Sequence, residues 1–110
     1  MAFKAAFIAH APNAEPEKHQ CMIETSKYKL FTVLVKDQAQ AVKECKKLVN
    51  EEGVRSILLC PGFTHRATSE IAEAVGENVA VAVARGDGPS SKISMEIRKS
   101  ERWFSEERRK

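Results

Sequence analysis

The segment 56–68 constrains the fold more than any other part of the chain, because an apolar run stops there at a sharp turn. The run ends in Cys60, Pro61 and Gly62, and a hydroxyl, an imidazole and a guanidinium follow at residues 64–66. A strand that passes through a tight turn into a helix N-terminus is the place where open α/β sheets hold their ligands. The sequence therefore predicts an α/β fold and the position of a site, but it does not identify an activity.

Alternating or unbroken apolar runs predict the strands. They cover residues 3–9, 28–35, 57–60 and 79–84, and a weaker run at residues 21–23 suits a short edge strand. The runs 57–60 and 79–84 are apolar throughout, as expected of strands that are covered on both faces. This pattern argues against a ferredoxin-like antiparallel sheet, which exposes one face to solvent.

Three amphipathic patterns predict helices after the later strands. Asp37 and Gln40 form a capping box at the start of the first helix, and Gly53 supplies its left-handed end. The second helix covers residues 64–75. The third is expected to be capped by one of two serines and to carry an apolar stripe. The two serines are Ser90 and Ser91, and the stripe is Ile93, Ile97 and Phe104.

The order β, β, α, β, α, β, α predicts a single domain over residues 1–110. We expect a small three-layer αβα sandwich on a largely parallel sheet of four or five strands, with a flavodoxin- or Rossmann-like topology. Strand–helix–strand connections are right-handed and join parallel strands, so at least the last three main strands should be parallel.

Charge and composition restrict the classes of function. Residues 1–97 contain 12 Lys or Arg and 12 Asp or Glu, so the net charge of +3 arises in residues 98–110. This mixed-charge tail is a poor match to the basic face with interleaved aromatic side chains of a nucleic-acid binder. No apolar run approaches the ~20 residues that span a bilayer. We therefore expect neither a nucleic-acid nor a membrane partner.

Cysteine usage indicates the compartment. Cys21, Cys45 and Cys60 include no CxxC pair and suggest neither a disulfide framework nor a zinc ribbon. Free thiols fit a reducing compartment, and residues 1–9 lack the apolar block of a secretory signal, so we expect a cytoplasmic protein. The spacing of His19 and Cys21 matches no common zinc pattern, so no metal site is assigned, and no motif identifies a cofactor.

Residues that follow parallel strands meet at one edge of the sheet even when they are far apart in sequence. Two of them are candidate catalytic groups: Cys60 as a nucleophile whose pKa would be lowered by a helix N-terminus and by Arg66 or His65, and His65 as a neutral base or nucleophile. The candidate ligand-binding groups are side chains that can hydrogen-bond or clamp an anion. These are His10, Thr64, Arg85 and Asp87.

Plain structural interpretations of these residues stay open. Cys60 can be the last buried residue of a strand, because a free cysteine packs as a small hydrophobic side chain. His65 can be an exposed residue of the first helical turn, and His10 can be a core histidine with a polar partner. The loop that begins at Arg85 can merely turn the chain, because it has neither a Walker A nor a GxGxxG pattern.

Three segments carry a resemblance. They are residues 59–64, Leu-Cys-Pro-Gly-Phe-Thr, the helix 69–76, Ser-Glu-Ile-Ala-Glu-Ala-Val-Gly, and the strand end 85–87, Arg-Gly-Asp. With them the chain resembles, over nearly its whole length, a family of small microbial α/β proteins of unknown function. The Cys-Pro-Gly-Phe turn is the most distinctive part. The resemblance implies a single α/β domain and implies no activity or catalytic residue.

Two functions from different classes fit these observations. The favoured one is a cytoplasmic domain that binds a small anionic ligand at the C-terminal edge of its sheet, and the sequence leaves open whether it is an enzyme. The alternative is a non-catalytic homo-oligomeric interaction or scaffold protein, in which Trp103 and Phe104 form an exposed patch that docks a second subunit.

Overall fold

A computed structural model describes residues 1–104 of the chain. Its elements in chain order are β1 (Phe3–His10), β2 (Gln20–Glu24), β3 (Tyr28–Val35), α1 (Gln38–Lys47), β4 (Ser56–Leu59), α2 (His65–Val75), β5 (Ala80–Val83) and α3 (Gly88–Ser100). A π-helical turn, Leu48–Glu52, extends α1. Each strand and helix predicted from the sequence forms, including the short edge strand, which is part of β2.

Within residues 1–104, five strands form one sheet in the order β2-β3-β1-β4-β5. β1 pairs in parallel with β3 and with β4, β4 pairs in parallel with β5, and the edge strand β2 is antiparallel to β3. The predicted α/β class and the largely parallel sheet are thereby confirmed. Among the parallel strands alone, the order is second, first, third, fourth, as in a flavodoxin-like sheet. Such a sheet binds ligands where the strand order reverses, which here lies between β1 and β4.

Helices α1 and α2 pack against the same face of the sheet. The chain moves from β3 to β4 and on to β5 in one direction across the sheet, and right-handed connections in one direction place their helices on one side. Side chains of these helices and of alternate strand positions form one buried core. It contains Ala6, Ile8, Phe31, Val33, Val35, Ala41, Cys45, Leu48, Val54, Ile57, Leu59, Phe63, Ile71 and Val79.

The opposite face of the sheet carries no packed helix within residues 1–104. The connection from β1 to β3, which runs the other way across the sheet, consists of a loop and β2 rather than of a helix. Along residues 88–100, α3 has no buried side chain, and Ile93 and Ile97 are 58% and 56% exposed. The sheet with α1 and α2 therefore forms two packed layers, and α3 does not complete the third layer of the predicted sandwich. No helix in the described part of the chain has the length and apolar character that a membrane crossing requires.

The predicted caps of α1 form as expected. The Asp37 side chain accepts a hydrogen bond from the backbone N–H of Gln40 at 2.8 Å. The Gln40 side chain in turn accepts one from the backbone N–H of Lys36 at 2.9 Å. Gly53 ends the helical segment with φ at +80°, a left-handed conformation that suits glycine. These caps fix where the chain leaves β3 and where it returns towards β4.

The predicted cap of α3 is wrong. Neither Ser90 nor Ser91 precedes the helix, because α3 begins at Gly88 with Asp87 as its N-cap residue. Pro89 lies in the first turn, where its fixed backbone angle and missing N–H favour the start of a helix. The helix consequently starts close to the end of β5.

Candidate functional site

A cleft of about 400 Å³ lies at the C-terminal edge of the sheet. The ends of β1, β3 and β4 contribute His10, Lys36 and Cys60 to its walls, and α3 contributes Met95 and Arg98. The cleft thus coincides with the point where the strand order reverses. Its volume falls within the range of small-molecule binding sites, roughly 300–1,000 Å³.

Cys60 and His10 face each other in this cleft. The Cys60 Sγ lies 3.8 Å from the His10 Nδ1, and the backbone N–H of His10 donates a hydrogen bond to the same Sγ at 3.4 Å. The backbone N–H of Cys60 donates to the carbonyl of Ile8 at 3.0 Å, which continues the ladder between β1 and β4 past the end of β4. Strand pairing therefore brings the thiol and the imidazole together.

Two neighbours, Phe63 and Gly62, restrict the position of the His10 ring. It stacks on Phe63, with ring centroids 4.0 Å apart and an angle of 20° between the rings, and Phe63 is only 1% exposed. Gly62 also approaches the ring so closely that a Cβ there would lie 2.9 Å from the His10 Nδ1 and 3.6 Å from the Cys60 Sγ. A stacked core ring and a missing side chain together fix the imidazole against the thiol.

Opposing effects act on the pKa of the Cys60 thiol. Burial raises it, whereas hydrogen bonds from the His10 side chain and backbone, a hydrogen bond from the Gly62 backbone and the charge of His10 lower it. The lowering effects prevail, so the pKa of Cys60 lies below its ordinary value. A lowered pKa increases the thiolate fraction of a partly accessible thiol, and the thiolate is the nucleophilic form of cysteine. Cys45 is the opposite case, because burial and the charge of Glu44 raise the pKa of its thiol to about 12.

The charged side chains on the walls of the cleft are cationic. Lys36 and Arg98 line it, and no Asp or Glu of the described residues does so. The guanidinium carbon of Arg98 lies 5.8 Å from the centroid of the Phe104 ring. Its Nε is buried and has no hydrogen-bond partner within residues 1–104. A buried donor without a partner is costly, and the oxygen of an anion is one group that would satisfy it.

The remaining candidate catalytic and ligand-binding residues, which are Thr64, His65, Arg85 and Asp87, lie outside the lining of this cleft. Thr64 is the N-cap of α2, and its hydroxyl oxygen accepts a hydrogen bond from the backbone N–H of Ala67 at 3.0 Å. Asp87 precedes α3 as its N-cap residue, is exposed, and makes no side-chain capping bond. These positions serve to begin helices in this structure.

His65 and Arg85 contact each other instead of the Cys60 pair. The Arg85 Nη1 donates to the carbonyl of Pro61 at 3.3 Å, and its Nη2 lies 3.5 Å from the His65 Nδ1. Because a guanidinium can only donate, this contact uses the Nδ1 of His65 as an acceptor. Both side chains are exposed, so they form a polar pair on the surface beside the turn after β4.

Sequence reasoning missed three residues that shape the site. Lys36 directly follows β3, so the same strand-end rule could have identified it. Phe63 lies within the distinctive Cys-Pro-Gly-Phe turn and could have been recognised as the partner of a nearby ring. Arg98 gave no local signal, because its position in the cleft depends on how α3 lies against the edge of the sheet.

Among residues 1–104, no group of three or more His, Cys, Asp and Glu side chains is arranged so that it could hold a metal ion.

Fold and site together define a small α/β protein of flavodoxin-like strand order that carries a cysteine–histidine pair in a cationic cleft at its switch point. The chain belongs to a family of unknown function, DUF6506, which matches residues 3–98. This confirms the resemblance to an uncharacterised family. The match spans the sheet and its helices and includes His10, Cys60 and Arg98. No curated protein and no solved structure matches the chain.

Proposed function

We propose that this chain binds a small anionic molecule in the cleft where β1, β4 and α3 meet, with the Cys60 thiolate as the reactive group of the site. The observation that carries the proposal is the set of charges around the cysteine–histidine pair. Lys36 and Arg98 line the cleft and no described carboxylate opposes them. A net positive lining in a partly enclosed cleft attracts and retains anions.

Arg98 supports an anion with oxygen acceptors in particular. Its Nε is a buried donor without a partner in the described chain, and a guanidinium binds carboxylate or phosphate through parallel hydrogen bonds. Lys36 adds a second cation on another wall. Carboxylates and phosphates of modest size are therefore the expected ligand class.

The cysteine–histidine pair adds a chemical capability to binding. When the imidazole takes the proton of the thiol, the resulting thiolate can attack an electrophilic carbon of a bound molecule, and the imidazolium can return that proton to the group that leaves. Cys60 has the lowered pKa that this requires, and His10 Nδ1 is 3.8 Å from its Sγ. A bound anion reacts with Cys60 only if it carries an electrophilic carbon.

Thermal unfolding in the presence of small anions tests the proposal. The panel comprises inorganic phosphate, sugar phosphates, nucleotides and short dicarboxylates. A ligand at about 100 times its dissociation constant stabilises a protein by roughly 2.7 kcal/mol, which raises Tm on the order of 10 °C for a domain of this size. We expect at least one class to produce such a shift.

Two variants of neighbouring α3 residues give the matched comparison. Arg98→Gln removes the cleft cation and should weaken binding by about 10- to 100-fold, since a hydrogen bond to a charged group contributes about 1.5–3 kcal/mol. Lys99→Gln removes the same charge from an exposed position outside the cleft and should leave binding unchanged. An equal response of both variants, or no shift with any anion, would contradict the proposal.

The alternative function, a non-catalytic homo-oligomeric scaffold, depends on Trp103 and Phe104. Both line the cleft, and Trp103 is half-buried, so a ligand in the cleft would contact them. Trp103→Ala separates the two functions. Loss of the ligand-induced Tm shift without a change of oligomeric state supports ligand binding, and dissociation of an oligomer without a change in ligand response supports the scaffold.

A further inference from the structure

We infer that the face of the sheet turned away from α1 and α2 is the contact surface between two copies of this chain, packed face to face. This open face is the side of the sheet that carries Phe3, Phe7, Ile23, Tyr28, Leu30 and Leu58. Strand register places these residues together, because Phe3 pairs with Tyr28, Phe7 with Leu58 and Ile23 with Leu30. The inference concerns a surface separate from the cleft and goes beyond the proposed function.

The distribution of charge along the strands sets this face apart from a solvated one. The Lys and Glu side chains of the described strands are Lys4, Lys29 and Glu24, and the register pairs Lys29 with both of the others. Lys4 and Lys29 are two residues away from Ala6 and Phe31 of the core, so all three charges lie on the side of the core. A sheet face that remains in water normally alternates to polar residues, whereas the open face has no charged side chain.

Four of the six large apolar side chains of the open face are exposed. Ile23 is 63% exposed, Phe3 54%, Leu58 43% and Tyr28 40%. Phe3 and Tyr28 stack on each other with centroids 5.7 Å apart, so they present one continuous aromatic surface. With ~150–250 Å² for a fully exposed large side chain, this face offers on the order of 500 Å² of apolar surface.

That area matches the apolar centre of a stable dimer. A monomer's largest apolar patch is typically about 300–600 Å² and often functional, and a standard interface buries ~800 Å² per partner, including a polar rim. The open face supplies the apolar centre of such an interface, and the ends and edges of the strands around it supply the rim.

A second copy is the occupant that this chemistry favours. A surface without charge offers nothing to select a charged partner, and a twofold axis can bring it against itself without placing like charges together. Two sheets pack face to face at ~10 Å through interdigitating apolar side chains. Parallel sheets are normally covered on both faces, and the partner's sheet would provide the layer that α3 does not.

Analytical ultracentrifugation over a wide concentration range tests the inference with a matched pair of variants. Leu58 and Met22 are both strand residues and both 43% exposed, but Met22 pairs with Phe31 on the core side. We expect a wild-type dimer, at least tenfold weaker association for Leu58→Glu, and wild-type association for Met22→Glu. Circular dichroism establishes that each variant is folded.

Three outcomes would overturn the inference. In the first, the wild-type protein is monomeric at every concentration. In the second, Leu58→Glu dimerises with the affinity of the wild type. In the third, Leu58→Glu and Met22→Glu weaken the dimer equally. Should Leu58→Glu fail to fold, Ile23→Glu replaces it, since Ile23 is next to Met22 on the same edge strand but points to the open face. A folded Ile23→Glu dimer of wild-type affinity would equally contradict the inference.

Discussion

The Sγ of Cys60 lies 3.8 Å from the Nδ1 of His10, although 50 positions separate the two residues in the chain. Their contact depends on the parallel pairing of β1 with β4, in which Ile8 lies opposite Leu59. Each residue directly follows or ends a strand, so the pair stands at the edge of the sheet. The strand order thus creates a reactive pair from two residues that have no local relationship.

Alkylation across pH should reveal a thiolate at Cys60. In a Cys21→Ser background, which removes the exposed cysteine, we expect Cys60 to react with iodoacetamide with a midpoint below the ordinary thiol pKa of ~8.5. Cys45 is an internal control, because its thiol is buried and its pKa is raised to about 12, so it should react only after unfolding. Mass spectrometry of the labelled peptides identifies the site. A midpoint for Cys60 at or above the ordinary value would contradict the assignment.

Replacing the imidazole should raise the pKa of Cys60. His10→Phe retains an aromatic ring that can stack on Phe63 but removes the side-chain hydrogen bond and charge that lower the pKa. The alkylation midpoint of Cys60 should therefore move to higher pH, with slower reaction at neutral pH. An unchanged midpoint would mean that the backbone N–H groups of His10 and Gly62 are sufficient to lower the pKa.

The lowered pKa of Cys60 also predicts a pH dependence of stability. Between its folded-state pKa and the higher pKa of the unfolded chain, only the unfolded chain holds the proton, so the free energy of unfolding rises with pH. The contribution is lost as pH falls through the folded-state pKa. Urea unfolding of the wild type and of Cys60→Ser measures it as a difference that grows with pH, with a slope of at most ~1.4 kcal/mol per pH unit. If the difference in the free energy of unfolding became smaller with rising pH, the pKa of Cys60 would be raised by folding and not lowered.

Gly62→Ala should damage the site, because the added Cβ would lie 2.9 Å from the His10 Nδ1. The imidazole must shift, and we expect slower alkylation of Cys60 together with a loss of stability of about 1–3 kcal/mol from overpacking. Gly88→Ala is the matched control, since nothing lies within 4 Å of the Cβ that it adds at the start of α3. Its stability should be unchanged or slightly higher. Equal effects of the two substitutions would argue against a tight approach at Gly62.

Thr64→Ala distinguishes a helix cap from a ligand-binding residue. The hydroxyl oxygen of Thr64 accepts from the backbone N–H of Ala67, and losing such a cap costs about 1 kcal/mol of stability. Thr64→Ser keeps the hydroxyl and should restore most of that stability. We expect neither variant to change the Tm shift produced by an anion that binds in the cleft. If Thr64→Ala alone lost that shift, the result would show that the Thr64 hydroxyl contacts the ligand.

The sequence predicted the local features of the fold well, because they depend on neighbouring residues. The cap at Asp37 and the left-handed end at Gly53 follow from side-chain and backbone chemistry within one or two turns. The order of the strands does not, because it depends on contacts between residues that are far apart in the chain. The missing third layer could not be predicted either, because an exposed α3 and a packed one have the same amphipathic pattern.

The candidate site shows the same contrast between features that depend on sequence position and features that depend on tertiary structure. The rule that strand ends meet at one edge identified His10 and Cys60 without any knowledge of the strand order. It did not show which of the other candidates face the cleft, because that depends on side-chain direction in the first turn of α2 and in the turn after β5. Arg98 needed the tertiary position of α3, which no pattern within the helix indicates.

Phe63 belongs to two structures at once, since it is buried in the hydrophobic core and also forms the surface on which the His10 ring lies. The imidazole is therefore oriented by the packing of the protein interior and not by a flexible loop. Selection acting on that interior and selection acting on the site would constrain the same ring. Most proteins tolerate a core substitution that preserves volume. Here such a substitution of Phe63 would also change the reactivity of the Cys60 thiol, because it would alter the position of the His10 ring.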